Sequence, residues 1–98
     1  MKLQATVVVH GKRMIATIDS GAMHTMISSR TIEKYKIPHR VKKTLIPVVL
    51  ADDKPMDYGN SMIRLETEPV TLELAGTIST MRINIMDLGE EEILIRYN

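Results

Sequence analysis

Cysteine, tryptophan and phenylalanine are all missing from these 98 residues, and three tyrosines are the whole aromatic content. The lack of cysteine excludes disulfides, thiolate metal sites and a cysteine nucleophile, and it fits a reducing compartment. Without Phe or Trp the core must be aliphatic, with the eight methionines as adaptable filler. Charge of one sign is also scarce. A formal net charge of +1 gives no electrostatic footprint for nucleic acid as a main partner. No apolar run approaches the ~20 residues of a membrane-spanning helix. Met1-Lys2 leads into strand-like sequence, not into the apolar stretch of a signal peptide. No internal repeat or low-complexity tract is present. What is there is 44% apolar, too much for a disordered segment. The expectation is one small domain over 1–98, in the cytoplasm, with neither a membrane nor a nucleic acid bound directly.

The apolar pattern is mostly of period two. Lys2 to Val9 places Leu3, Ala5, Val7 and Val9 on one face, and His10-Gly11-Lys12 reads as a turn. Arg13 to Ile18 is a returning strand. Thr25-Met26-Ile27 is a brief apolar run, after which Ser28-Ser29 offers an N-cap for a short helix over Arg30 to Tyr35. Ile32 and Tyr35 give that helix its apolar face, and Pro38 stops it. His39 to Lys43 is a small basic cluster, read as a solvated connection. Thr44 to Ala51 is a strand that Pro47 restricts to an edge or a bulge. Asp52-Asp53-Lys54-Pro55 and Tyr58-Gly59-Asn60-Ser61 are breaks. Ser61 to Glu66 and Val70 to Leu74 are strands, Ala75-Gly76-Thr77 is a turn, and Ile78 to Met86 is the clearest strand of all. Glu90 to Glu92 reads as a solvated turn and Ile93-Leu94-Ile95 as a buried run. Many short strands, frequent turns and one helix predict an all-β, closed barrel-like domain.

The stretch with the most chemistry is Ile15 to Ala22. An alternating strand runs straight into Asp19-Ser20-Gly21-Ala22: a short carboxylate, a hydroxyl, a glycine free to turn tightly, then alanine. Asp, Ser and Gly are favoured turn residues, so an ordinary turn is the bland alternative. The context goes further. Ile18-Asp19-Ser20-Gly21-Ala22-Met23-His24 is similar to the Ile-Asp-Ser-Gly-Ala-Thr-His of retropepsins, the dimeric aspartic proteases of retroviruses and long-terminal-repeat retrotransposons. Ile27-Ser28 matches the Ile-Ser that follows there. Val49-Leu50-Ala51-Asp52-Asp53, with Gly59 further on, looks like the flap segment, with Asp53 where glycine is usual. Ile93-Leu94-Ile95 sits where the family has Ile-Leu-Gly. The chain resembles most the gypsy-type retrotransposon branch and its domesticated relatives, over almost its whole length.

That resemblance implies an acid protease fold and an aspartic endopeptidase. Two carboxylates sharing one proton do the work in such enzymes, and the motif occurs once here, so it implies a homodimer with one Asp19 from each chain. It implies Asp19, Ser20 and Gly21 as the catalytic loop, with Ser20 bonding across the interface. It implies an extended peptide of a polyprotein as substrate, walled by Ala22, Met23, His24, Leu88 and Ile93 and covered by Ala51 and Asp52. No metal and no other cofactor is expected; His10, His24 and His39 lack metal-ligand spacing. Ala22 carries no hydroxyl to favour the charged dyad, which points to a mildly acidic optimum. The compartment implied is intracellular, inside retroelement particles.

Two departures carry an alternative. Ile95 replaces a glycine that lets this segment pass close behind the catalytic loop, and a branched side chain in a packed spot costs roughly 1–3 kcal/mol. The family also continues into a helix and a terminal strand where this sequence reaches Asn98. The second reading is therefore a catalytically weakened or inactive retropepsin-fold module for binding or dimerisation. A cellular retropepsin domain within a larger shuttle-type protein is a third, with the same chemistry and a different substrate.

Overall fold

The computed structural model describes residues 2–22, 24–47 and 62–96. The candidate flap positions Ala51 and Asp52, and Met23, lie outside the described residues. Nine strands and one helix follow in the order β1 (Lys2–Val9), β2 (Lys12–Asp19), β3 (Met26–Ser28), α1 (Ser29–Tyr35), β4 (His39–Pro47), β5 (Met62–Thr67), β6 (Val70–Leu74), β7 (Thr77–Met81), β8 (Asn84–Met86) and β9 (Ile93–Arg96). The strands form one curled sheet, a half-barrel, in the order β4-β5-β8-β3-β9-β2-β1-β6-β7. The mostly-β architecture with one short helix agrees with the sequence expectation, with a half-barrel in place of a closed one.

Two hairpins are set by two-residue turns whose backbone matches the strand twist. His10 and Gly11 (φ 52° and 75°) join β1 to β2, and Ala75 and Gly76 (φ 52° and 82°) join β6 to β7. The alternation then sorts the side chains. Val7 and Val9 of β1 and Met14 and Ala16 of β2 are buried with Ile27, Ile32, Ile37, Val70, Leu72, Ile83, Ile85 and Ile93 in one aliphatic core. Ser28 caps α1, its Oγ accepting from the Arg30 N–H at 3.3 Å. Lys36 closes the helix in the left-handed conformation (φ 52°) before Pro38 is reached.

Three readings of the sequence are corrected here. The Ile78 to Met86 stretch is two strands, because the chain leaves β7 at Met81 and joins a different part of the sheet at Asn84. Ile83 fills the step: its N–H donates to Thr67 Oγ1, and Thr67 N–H donates to its carbonyl, both at 2.9 Å. The Glu90 to Glu92 run is not simply solvated. Thr17 Oγ1 donates to Glu91 Oε1 at 3.0 Å, Ile15 N–H donates to Glu92 Oε2 at 2.7 Å, and the Glu92 carbonyl accepts from Ser28 N–H and Thr31 Oγ1. These bonds fix the corner at which the chain enters β9.

The basic cluster is not a connection but the start of β4. Arg40 Nε and Nη2 donate to Glu66 Oε2 at 2.8 Å, and Lys42 Nζ donates to Glu66 Oε1 at 3.1 Å. The Arg40 hydrogen bond, reinforced by Lys42 and opposed by burial, holds the Glu66 carboxyl below its usual 4.5. A depressed acid stabilises the fold above its unfolded value, and that contribution is lost as pH falls through the lower folded value. Melting temperature should therefore fall below about pH 4.5, and Glu66→Gln should remove part of this acid slope. An unchanged slope in the variant would place the titration elsewhere.

Candidate active site

The half-barrel places its central strands around one loop. β2 lies between β1 and β9 and is hydrogen-bonded to both, so its last residue, Asp19, is held opposite Lys2 on one side and Arg96 on the other. The side chain is 7% exposed. The chain turns at once: Gly21 N–H donates to Asp19 Oδ1 at 2.8 Å, and Ala22 N–H donates to the Asp19 carbonyl at 3.2 Å. A carboxylate on a single methylene reaches back to an amide two residues on, which is the Asx geometry that suits Asp at a turn. One oxygen is thereby oriented by the backbone. Ser20 and Gly21 are exposed beside it.

The far end of the loop is pinned as well. Arg96 N–H donates to Thr25 Oγ1 at 3.1 Å, and β3 begins one residue later. β9 runs parallel to β2 and antiparallel to β3, so the aliphatic segment threads between the strand that enters the loop and the strand that leaves it. Its alternation splits the three side chains. Ile93 and Ile95 face the main core, and Leu94 faces the other way into a second cluster with Met26 and Ile63, against which Ala22, Met86 and Leu88 pack.

The structure therefore brings Asp19, Ser20, Gly21 and Ala22 into one turn and sets Leu88 on the same apolar cluster as Ala22. His24 is half-buried further along the loop. Ile93 does not join them. It is 0% exposed in the main core and offers no surface to a ligand. Its neighbour Leu94 belongs instead to the cluster against which Ala22 and Leu88 pack. A period of two was enough to separate the pair, but a run of three apolar residues hid which one turned outward.

Ile95 faces the core and a groove together. It is half-buried against the main core and lines an open groove of about 380 Å³ with Leu72, Leu74, Met81 and Thr25. Space lies on one side of it. Ile95→Gly should lower stability by about 2 kcal/mol, through lost burial and the poor fit of glycine to a strand, instead of relieving strain. Thermal unfolding at fixed chain concentration checks the sign. Among the described residues no group of three His, Asp or Glu side chains is arranged to hold a metal ion, and no helix is long and apolar enough to cross a membrane.

A short carboxylate thus stands at the end of a central strand, oriented by the backbone of its own turn and backed by a threaded aliphatic strand. The sequence matches the aspartyl protease family profile over residues 5–96, and the chain belongs to that family. No curated protein matches it. Among solved structures it is similar to EIAV protease complexed with the inhibitor HBY-793, at 16% identity and TM-score 0.69, covering 98% of this chain and 82% of that one. It is also similar to the retroviral protease-like domain of Ddi1 from Leishmania major, at 14% identity and TM-score 0.61, covering 98% of this chain and 70% of that one. At such identities the likeness is one of fold.

Proposed function

We propose that this chain is an aspartic endopeptidase that works as a homodimer, with one Asp19 from each copy meeting on a two-fold axis. The observation that carries this reading is the Asp19 turn: a buried carboxylate with Oδ1 on the Gly21 N–H, at the end of a strand in an aspartyl protease family fold. One such turn per chain is half of the catalytic pair. Two carboxylates that close cannot both be ionised, so they hold one proton between them. The ionised member takes a proton from a bound water. The water oxygen attacks the scissile carbonyl, and the protonated member stabilises the oxygen that becomes negative. The tetrahedral intermediate then collapses, with a proton passing to the departing amine.

In this reading Ser20 ties the two loops together and Gly21 presents backbone to substrate. Ala22, Met23, His24, Leu88 and, in place of Ile93, Leu94 wall the site, and Ala51 and Asp52 cover it. The substrate is an extended segment of a polyprotein, bound as an added strand. A gypsy-type retroelement source rests on the Ile18 to His24 and Ile93 to Ile95 resemblance. The inactive-module alternative drew part of its support from a crowded Ile95, and the groove that Ile95 lines favours the active reading. The test is digestion of a diverse peptide pool between about pH 4 and 7, the window of a shared-proton dyad. Cleavage that depends on Asp19 upholds the proposal. Silence from folded, dimeric protein overturns it in favour of the binding module.

A further inference from the structure

Two carboxylates are buried among the described residues, Asp19 and Glu66, and the mechanism uses only the first. Glu66 lies on β5, away from the Asp19 turn. What surrounds it is a break in the sheet. β4 is an edge strand held by β5 alone among the described residues. Its ladder runs in register from His39↔Thr67 to Val41↔Leu65 and resumes only at Ile46↔Ile63, so Lys42 to Leu45 stand opposite the single residue Arg64. Backbone pairing is interrupted along that stretch. An edge strand with a wide irregularity needs another means of staying on the sheet.

Side chains supply it. Arg40, before the break, places two nitrogens on Glu66 Oε2 at 2.8 Å. Lys42, at the break, reaches Glu66 Oε1 at 3.1 Å and Asn84 Oδ1 on β8 at 2.8 Å. β8 pairs with β3, the strand that leaves the catalytic loop. The Glu66 carboxylate thus ties β4 to β5, and Lys42 carries the link on to β8, which pairs with the strand that follows Asp19. The Lys42 and Glu66 side chains are each 11% exposed, so these are not solvent-screened surface pairs. The chain also passes from β4 directly into the stretch that holds Ala51 and Asp52.

We infer that Glu66 is a positioning residue for substrate binding: with Lys42 it forms a three-strand staple that fixes β4 where its ladder is broken. This rests on the proteolytic reading for its effect on substrate, but not for its effect on β4. The staple touches neither Asp19 nor the attacking water, so its loss acts on binding and not on the chemical step.

The experiment measures kcat, KM and amide hydrogen exchange for wild type, Glu66→Ala and Lys42→Met. For Glu66→Ala, KM should rise roughly tenfold with kcat within about twofold. Amides of β4 should lose protection by at least about tenfold relative to those of β1 and β2. Lys42→Met keeps the Arg40–Glu66 pair but removes the bond to Asn84 and should show the same selective pattern, which keeps the inference testable if Glu66→Ala does not fold. A fall in kcat at constant KM overturns the inference. Equal loss of protection in all strands also overturns it, since Glu66 would then be a general stabiliser. If the wild type shows no Asp19-dependent cleavage, the proposed function fails and the substrate part falls with it. Selective loss at β4 would still uphold the staple, and unchanged β4 protection would end it.

Discussion

Asp19→Asn should abolish peptide cleavage, by at least about 10³-fold, while leaving the fold intact. The substitution keeps the shape of the side chain. An amide oxygen at the Oδ1 position still accepts from the Gly21 N–H, so the turn that closes at 2.8 Å has no reason to open. What is lost is the ability to take and return a proton. The consequence for mixtures is sharper. If each active site needs one carboxylate from each chain, randomly paired equal amounts of wild-type and variant chains form only about one quarter wild-type pairs. Activity per total chain should then fall to about one quarter of the wild-type value after exchange, not to one half. A fall to one half would mean that each chain carries a complete site, and the shared-site mechanism would be abandoned. Circular dichroism and melting of the variant separate loss of chemistry from loss of fold.

The reach of sequence reasoning in this chain follows the range of the interactions. β1 and β6 were legible to the residue, because each alternates cleanly and ends in a two-residue turn with glycine. The Asp19 turn was legible for the same reason: Asp, Ser and Gly act on their own neighbours, and the bond that closes the turn spans two residues. The break between β7 and β8 was not. Alternation continues from Met81 through Ile83 to Ile85, and only the exchange of bonds between Ile83 and Thr67 shows that the chain has changed partners. His39 to Lys43 looked solvated because its counter-charge, Glu66, lies 24 and 26 residues away from Lys42 and Arg40. Glu91 and Glu92 looked solvated because their donors on β2 are 74 and 77 residues distant. Charged residues were misread where their partners were remote, and apolar ones where a short run gave no phase.

Ile93 makes that last point measurable. As a pocket wall, its truncation would alter cleavage preference and spare stability. Its actual position predicts the reverse. Ile93 stands between Ala16 on β2 and Ile27 on β3, and all three are 0% exposed. Neighbours on both strands are fixed by ladders, so the core cannot readily close over a lost side chain. Ile93→Ala should therefore cost about 3–4 kcal/mol, near the middle of the range for large buried aliphatics. Against a total stability of roughly 5–15 kcal/mol this is a large fraction. For a domain of this size it corresponds to a fall in melting temperature of roughly 15 °C or more. The comparison must be made at one chain concentration, because dimerisation adds to apparent stability by mass action. Leu94→Ala is the control: it is 9% exposed, and it packs on the Ala22 side. It should lose less stability and shift preference among apolar side chains flanking the cleaved bond. A stable Ile93→Ala with altered preference would mean that β9 sits one residue out of this register, because a slip of one exchanges the two faces of the strand.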